Sequence, residues 1–233
     1  SSYINDNTDY YVIAHEYLTY IMKGFGVQKE KVLPFGIPIR KEFCESYNRE
    51  ELLAKLGFED KKTILVMGGG LGLGGINNIV KAIDSDMEDI QIIAVAGRNN
   101  RLEAKLKNLS TKNKLVVYGF INNMHELMEL SDCIISKPGG VSVSEILSRE
   151  KPLVIFSPLP GQEHENVEFL LNSGAAVTTS DARKIPALIN QIFDSEIRMK
   201  CFKELAGLLK KPYSAYNIVH YLTVRYGLDS KTY

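Results

Sequence analysis

At 233 residues and 45% hydrophobic composition the chain is long enough to bury a core, and its 28 Lys plus Arg against 28 Asp plus Glu give a formal charge of zero, so no overall field draws it to nucleic acid or an anionic surface. Cys44, Cys133 and Cys201 are odd in number and far apart, which fits neither a disulfide framework nor paired zinc ligands and points to a reducing compartment. No apolar run approaches the ~20 residues of a membrane-spanning helix and no charged-then-apolar leader opens the chain, so a soluble or peripheral protein is expected.

In chain order, a buried strand is expected at 10–14, a helix at about 16–23 and a short strand at 32–35, followed by the turn Gly36-Ile37-Pro38 and Arg40. Strand-like runs then recur at 63–67, 90–96, 114–118, 133–136, 153–156 and 175–178. Between them, 76–83, 101–109, 124–130, 141–147 and 167–171 carry apolar residues at three- and four-residue spacing, which predicts helices. A last helix, 213–226, gathers Tyr216, Val219, His220, Leu222 and Thr223 near one face and is expected to pack back on the opening segment. This alternation predicts an α/β fold, a Rossmann-like parallel sheet with helices on both faces. Right-handed crossovers place its strand-to-helix loops along one edge, where such sheets bind ligands. No internal repeat or low-complexity tract is present.

Four of those loops carry chemistry. The first, Met67 to Gly75, is glycine-rich after an apolar strand, so its amides can approach a phosphate closely while the next helix adds its positive end. Gly70, Gly72 and Gly75 also satisfy the dinucleotide spacing Gly-x-Gly-x-x-Gly. That motif wants an acid about 20 residues on, yet the next strand ends in Gly97-Arg98-Asn99; an Arg there suits NADP, and a plain tight turn also stays open. The second loop, Ser136-Lys137-Pro138-Gly139-Gly140-Val141-Ser142-Val143-Ser144-Glu145, brings another helix start to the same edge. Glu145 is placed to accept from two ribose hydroxyls, or else merely offsets the helix dipole.

The third loop, Ser157 to Asn166, is dense in groups suited to neutral sugar hydroxyls: Gln162, Glu163 and Asn166. His164 within it is a candidate base or an ordinary helix-surface histidine. The fourth, Tyr118-Gly119-Phe120-Ile121, offers free backbone groups to the edge of a uracil and an apolar side chain to its face, with Phe120 as plain core the bland alternative.

Read together, Gly-Gly-Gly-x-Gly, Gly-Phe-Ile, Ser-Lys-Pro-Gly-Gly-x-Ser-x-x-Glu and Pro-Gly-Gln-Glu-x-x-Asn resemble the carboxyl-terminal half of diacylglycerol glycosyltransferases. These are bacterial processive diacylglycerol glucosyltransferases and plant monogalactosyldiacylglycerol synthases; a more distant similarity is to the peptidoglycan N-acetylglucosaminyltransferase. The resemblance implies the C-terminal lobe of a GT-B fold. It assigns diphosphate contacts to Arg40, Gly70, Gly72, Gly139 and Gly140, uracil contacts to Phe120 and Ile121, the ribose acid to Glu145, and sugar contacts to Gln162 and Glu163 with Asn166 in support. Gly69, Arg98, Asn99, Lys137, Pro138, Val141 and Ser144 complete the candidate set from the same loops, and Ser142 stands where relatives often carry Thr.

The resemblance further implies that residues 1–40 are the remnant of an N-terminal acceptor lobe plus linker, 41–212 the UDP-sugar-binding domain and 213–233 the returning helix. The general base and acceptor site are expected in that other lobe, so this chain alone should bind donor and transfer sugar poorly. The implied partners are a UDP-sugar as donor substrate, a diacylglycerol-like lipid acceptor and, for the full-length enzyme, the cytoplasmic face of a membrane. No metal or other cofactor is expected, since no Asp-x-Asp pair occurs on the candidate loops. The alternatives are a GT-B sugar-nucleotide epimerase and an NADP-binding domain or noncatalytic nucleotide sensor.

Overall fold

A computed structural model describes residues 4, 5, 7–70, 72, 75–156 and 162–227. The chain opens with β1 (Tyr11–Val12), α1 (Leu18–Gly24) and β2 (Val32–Leu33), and β1 pairs in parallel with β2. β1 is shorter than the 10–14 stretch expected and is not buried on both faces, since Val12 is 42% exposed. With β2 as its partner among the described residues, it forms a two-stranded ribbon that a single small cluster of Ile13, Val27 and Val32 supports.

Next come α2 (Arg49–Leu56), β3 (Lys62–Met67), α3 (Ile76–Asp86), β4 (Ile90–Val95), α4 (Asn100–Lys107), β5 (Lys114–Tyr118) and α5 (Met124–Leu130). They are followed by β6 (Cys133–Ser136), α6 (Gly140–Ser148), β7 (Leu153–Phe156), α7 (Gln162–Asn172), β8 (Ala176–Thr179), α8 (Ile185–Phe193), α9 (Glu196–Leu209) and α10 (Ser214–Tyr226). β3 to β8 form one parallel sheet in the order β5-β4-β3-β6-β7-β8.

The strands read as unbroken apolar runs because helices cover both faces. Successive side chains alternate between two cores. Leu65, Met67, Ile93, Val95, Ile134 and Ile155 face the side of α2, α5, α6 and Leu170 of α7. Ile64, Val66, Ile92, Ala94, Ile135 and Val154 face α3, Leu106 of α4, and Ile185, Ile189 and Ile192 of α8. Three helices lie outside the periodic stretches named from the sequence: α2, α8 and α9. α2 nevertheless carries both its start and its stop signal, with the Asn48 side chain accepting from the Glu50 and Glu51 N–H groups and Gly57 closing the helix at φ 71°.

Two polar anchors join this sheet to the flanking chain. Arg149, at the end of α6, is 7% exposed. Its guanidinium donates to the Glu45 carbonyl at 2.6 Å and to the Glu42 carbonyl, pairs with Glu129 at 3.0 Å, and lies 5.0 Å over the Tyr47 ring. α10 returns to the opening segment: Ser214 Oγ donates to the Gly36 carbonyl, Arg225 Nε to the Tyr10 hydroxyl, and Tyr221 meets Tyr10 and Phe35 edge-on. Lys211 also bonds Glu16 at 2.6 Å.

Arg149→Met would leave the carbonyls of Glu42 and Glu45 without their donor, while Glu129 keeps Lys151 nearby. A loss of about 2–3 kcal/mol in urea unfolding is expected, in the range of a buried network broken from one side; a loss under about 0.5 kcal/mol, the level of an ordinary surface change, would contradict the anchoring role.

Candidate functional site

β3 lies at the point where the strand order reverses: the chain moves from it to β4 and β5 on one side and then crosses to β6 on the other. Loops leaving β3 and β6 therefore diverge, and a crevice opens between them at the carboxyl edge of the sheet. The cavity there measures about 200 Å³. Its walls include Gly69 and Gly70 after β3, Gly97 after β4, Phe120 and Ile121 after β5, Ser142 and Glu145 of α6, and Arg40 and Phe43 from the stretch between β2 and α2.

The glycine loop is held by backbone contact. The Gly72 N–H donates to the Gly69 carbonyl and the Arg98 N–H to the Gly70 carbonyl. A Cβ on Gly72 would stand 2.2 Å from the Ala96 oxygen, and one on Gly97 would stand 2.7 Å from the oxygens of Gly69 and Gly70. Both residues also have positive φ, 58° and 60°. The exits of β3 and β4 can thus lie against each other only where no side chain intervenes. Gly72 serves this packing and its N–H is engaged, whereas Gly69 and Gly70 face the open crevice. Leu71, Leu73 and Gly74 lie outside the described residues.

Two helix starts meet this edge without capping side chains. α3 begins after Gly75 and α6 after Gly139, neither of which supplies a cap. In α3 the Asn78 N–H already donates to the Gly75 carbonyl at 2.9 Å, so the donors that helix geometry leaves beside the positive ends of the two dipoles are the leading amides, Ile76 and Asn77 in α3 and Gly140 and Val141 in α6. Gly139 faces open space, while Gly140 packs on Ile37 of the linker, its would-be Cβ only 2.7 Å from the Ile37 Cδ1.

Glu145 stands one turn into α6. Burial pushes its carboxyl up to about 7, against the opposing pull of the Arg40 charge. Among the described residues no group hydrogen-bonds that carboxylate. Arg40 donates from Nη2 to the Asn122 carbonyl at 2.9 Å and lies 5.4 Å over the Phe43 ring, joining the linker to the loop after β5. Phe120 is 57% exposed, with the Arg98 guanidinium 4.9 Å from its ring; Ile121 is partly buried on the core.

Other members of the expected set are placed differently. The Asn99 side chain caps α4, accepting from the Leu102 N–H at 2.9 Å. Ser144 turns to the opposite face of α6, lining a void of about 20 Å³ with His15, Ile37 and Asn166. Val141 is 54% exposed and does not line the crevice. Lys137 pairs with Glu163 at 3.3 Å, and Asn166 Nδ2 donates to the Pro138 carbonyl at 2.8 Å. Gln162 begins α7, and residues 157–161 of the third loop lie outside the described residues. His164 is exposed, as a helix-surface histidine would be.

Phe43 was not foreseen. It is 1% exposed and closes the crevice floor from a short 3-10 turn, Lys41–Phe43, that Arg40 precedes. The one sequence signal was its spacing, three residues after Arg40 beyond the Gly36-Ile37-Pro38 turn, which brings both side chains to one side of such a turn.

The model of the glycosyltransferase family 28 C-terminal domain matches residues 63–204. The processive diacylglycerol beta-glucosyltransferases of Bacillus cereus (strain AH187) and Bacillus cytotoxicus are each 31% identical to this chain over 221 residues, covering 93% of it and 57% of their own length. The chain therefore spans little more than half of these relatives. Among solved structures, a glycosyltransferase from Rickettsia africae aligns with a TM-score of 0.65 at 16% identity, over 96% of this chain and 66% of that one. The S. aureus MnaA–UDP co-structure aligns at 0.71 and 15%, over 96% and 62%, and Anabaena HepE in complex with UDP-glucose at 0.65 and 13%, over 93% and 64%. At such identities these neighbours speak for the shared GT-B type of fold alone. With the family model running from β3 into α9, and relatives aligned along nearly the whole chain, the protein belongs to glycosyltransferase family 28 through its C-terminal domain.

Proposed function

We propose that this chain is the donor-binding half of an inverting hexosyltransferase, which holds a UDP-sugar and, in the full-length protein, passes the sugar to a lipid acceptor such as diacylglycerol. The observation that carries the reading is Glu145: a carboxylate drawn out of water, with no donor of its own, facing a crevice bounded by glycine amides and an uncapped helix start. A ribose supplies the two adjacent hydroxyls that such a group lacks. Relatives named as processive diacylglycerol beta-glucosyltransferases supply the acceptor class, and neighbours crystallised with UDP and UDP-glucose supply the donor class. Epimerases share the fold at 14–17% identity, against 31% for the transferases, which favours transfer.

In this reading the uracil enters between Phe120, Ile121 and Phe43, the ribose meets Glu145, and the diphosphate lies toward Gly69, Gly70, Gly139 and Gly140. Gln162 and Glu163 take the hexose. As UDP leaves, negative charge grows on its diphosphate. The helix starts, each worth about 0.3–1 kcal/mol when exposed and up to about 2 when part-buried, share that charge with Arg40 and the loop amides, donors already oriented before reaction. The acceptor and its general base belong to the part of the relatives that this chain does not span; a base of that kind contributes about 10²–10⁴ in rate.

Calorimetry with UDP is expected to give the same affinity with and without a chelator, and strict dependence on Mg²⁺ or Mn²⁺ would overturn the metal-free assignment. Glu145→Ala is expected to weaken UDP by roughly tenfold or more, as for loss of a charge-assisted pair of bonds, while the variant stays folded. An unchanged affinity would remove the ribose assignment.

The raised Glu145 pKa gives a further outcome. Folded protein retains this proton up to about 7, whereas the unfolded chain releases it near the ordinary value of 4.5. The native state thus binds more protons between these values, and the contribution to stability, full below 4.5, is lost as pH rises through 7. Melting curves should show a decline across that window in the wild type that Glu145→Gln removes. Hydroxyls donating to the carboxylate favour its ionised form, so uridine, which has no phosphate to titrate, should bind more tightly as pH rises past 7. Identical pH profiles for wild type and Glu145→Gln would contradict both expectations.

A further inference from the structure

Lys137 is the first residue beyond β6, and Glu163 is the second of α7. Their side chains arrive from different loops, yet the ammonium lies 3.3 Å from the carboxylate and the two are only 12% and 17% exposed. One turn further along α7, Asn166 Nδ2 donates to the carbonyl of Pro138, the residue after Lys137. The loop after β6 therefore grips the first turns of α7 at two places. That same loop continues directly into α6, whose start and whose Glu145 border the crevice.

A pair so sheltered from water is not explained by stability, because the loss of hydration of both ions offsets most of their attraction. It does fix geometry. An ammonium is a compact charge that engages the carboxylate from one direction and fixes where it stands. An ammonium so engaged is also a poor candidate for the diphosphate, which the open amides of Gly69, Gly70 and Gly139 and the guanidinium of Arg40 border instead.

Resting on the UDP-sugar reading above, we infer that Lys137 is a positioning residue for the donor hexose: it aims the Glu163 carboxylate at sugar hydroxyls and ties the α7 start to the α6 start. The two ends of one ligand, diphosphate and hexose, are thereby held at a set separation. Hydrogen bonds from hydroxyls to a carboxylate are charge-assisted and fall off with small displacements, so the hexose, not the nucleotide, senses a loosened Glu163.

The test is calorimetry on the 233-residue chain with UDP, UDP-glucose and UDP-galactose, read as the ratio of the Kd for the better-bound sugar nucleotide to the Kd for UDP. Lys137→Met is expected to raise this ratio about tenfold while the Kd for UDP moves less than about twofold. Lys137→Gln, which keeps a polar stem without charge, should behave alike and guards against a Met variant that fails to fold. Lys137→Arg should restore the ratio to within about threefold, and adding Lys137→Met to Glu163→Gln should raise it no further than Glu163→Gln alone, as for residues acting as one unit. An unchanged ratio overturns the inference, as does failure of Arg to rescue. Equal weakening of UDP and sugar nucleotide overturns it too and makes Lys137 a diphosphate or structural residue. Failure of the wild-type chain to bind UDP sinks the nucleotide reading itself, an outcome distinct from all of these.

Discussion

Parallel pairing of β3 with both β4 and β6 is the constraint from which the site follows. Three strands in that register all end at one edge, so the turns after them must share a small area. The chain then has to leave β3 toward one neighbour and arrive at the other by a long route. Crowding is relieved on the β4 side by glycine: Gly72 and Gly97 let two turns touch backbone to backbone. On the β6 side Ser142 and Glu145 of α6 line the crevice. Helices cover both faces of the sheet, and their first turns carry amides that the helix itself does not pair.

At this edge the fold places Glu145, a carboxylate to which no group among the described residues donates a hydrogen bond. Glu145 is surrounded by groups that favour a negative charge at a distance, two helix starts and Arg40, yet it lies deep enough for desolvation to prevail. Its neighbours Glu163 and Glu126 are treated otherwise: Lys137 meets the first, and Lys55 with Asn123 holds the second below the usual carboxylate range despite its burial. Among the described residues, Glu126 is a carboxylate held by the protein's own donors, whereas none donates to Glu145.

The sheet was legible from residues 63 to 178 because fully covered parallel strands are short runs of mostly apolar residues with polar residues or Pro at their ends, as in 133–136 and 153–156. The helices α8 and α9 follow the last strand with no motif between them to prompt a reading. Within the site, membership of a loop could be read from sequence but helical phase could not. α6 starts at Gly140, so Ser142 and Glu145, three apart, share the crevice face while Ser144 turns to the far side and Val141 to solvent. Asn99 sits where a ligand contact was expected, but an amide just ahead of a helix is also a good cap, and here the backbone of Leu102 claims it. Phe43 stayed hidden because its burial depends on how the linker folds over the sheet, a tertiary fact with no local periodicity behind it.

The return of α10 to the opening segment has a mechanical consequence. Ser214 with Gly36 and Arg225 with Tyr10 fasten the last helix to the first elements, and Lys211, just ahead of that helix, bonds Glu16. The chain accordingly passes between these elements and the large sheet twice, once around residues 36–40 and once around residues 209–214. The opening segment is also seated on the helices of the sheet itself, with the His15 ring stacked 3.4 Å from that of Phe169 in α7 and Ile37 against Gly140 of α6, so the first elements, the last helix and the crevice wall are braced as one.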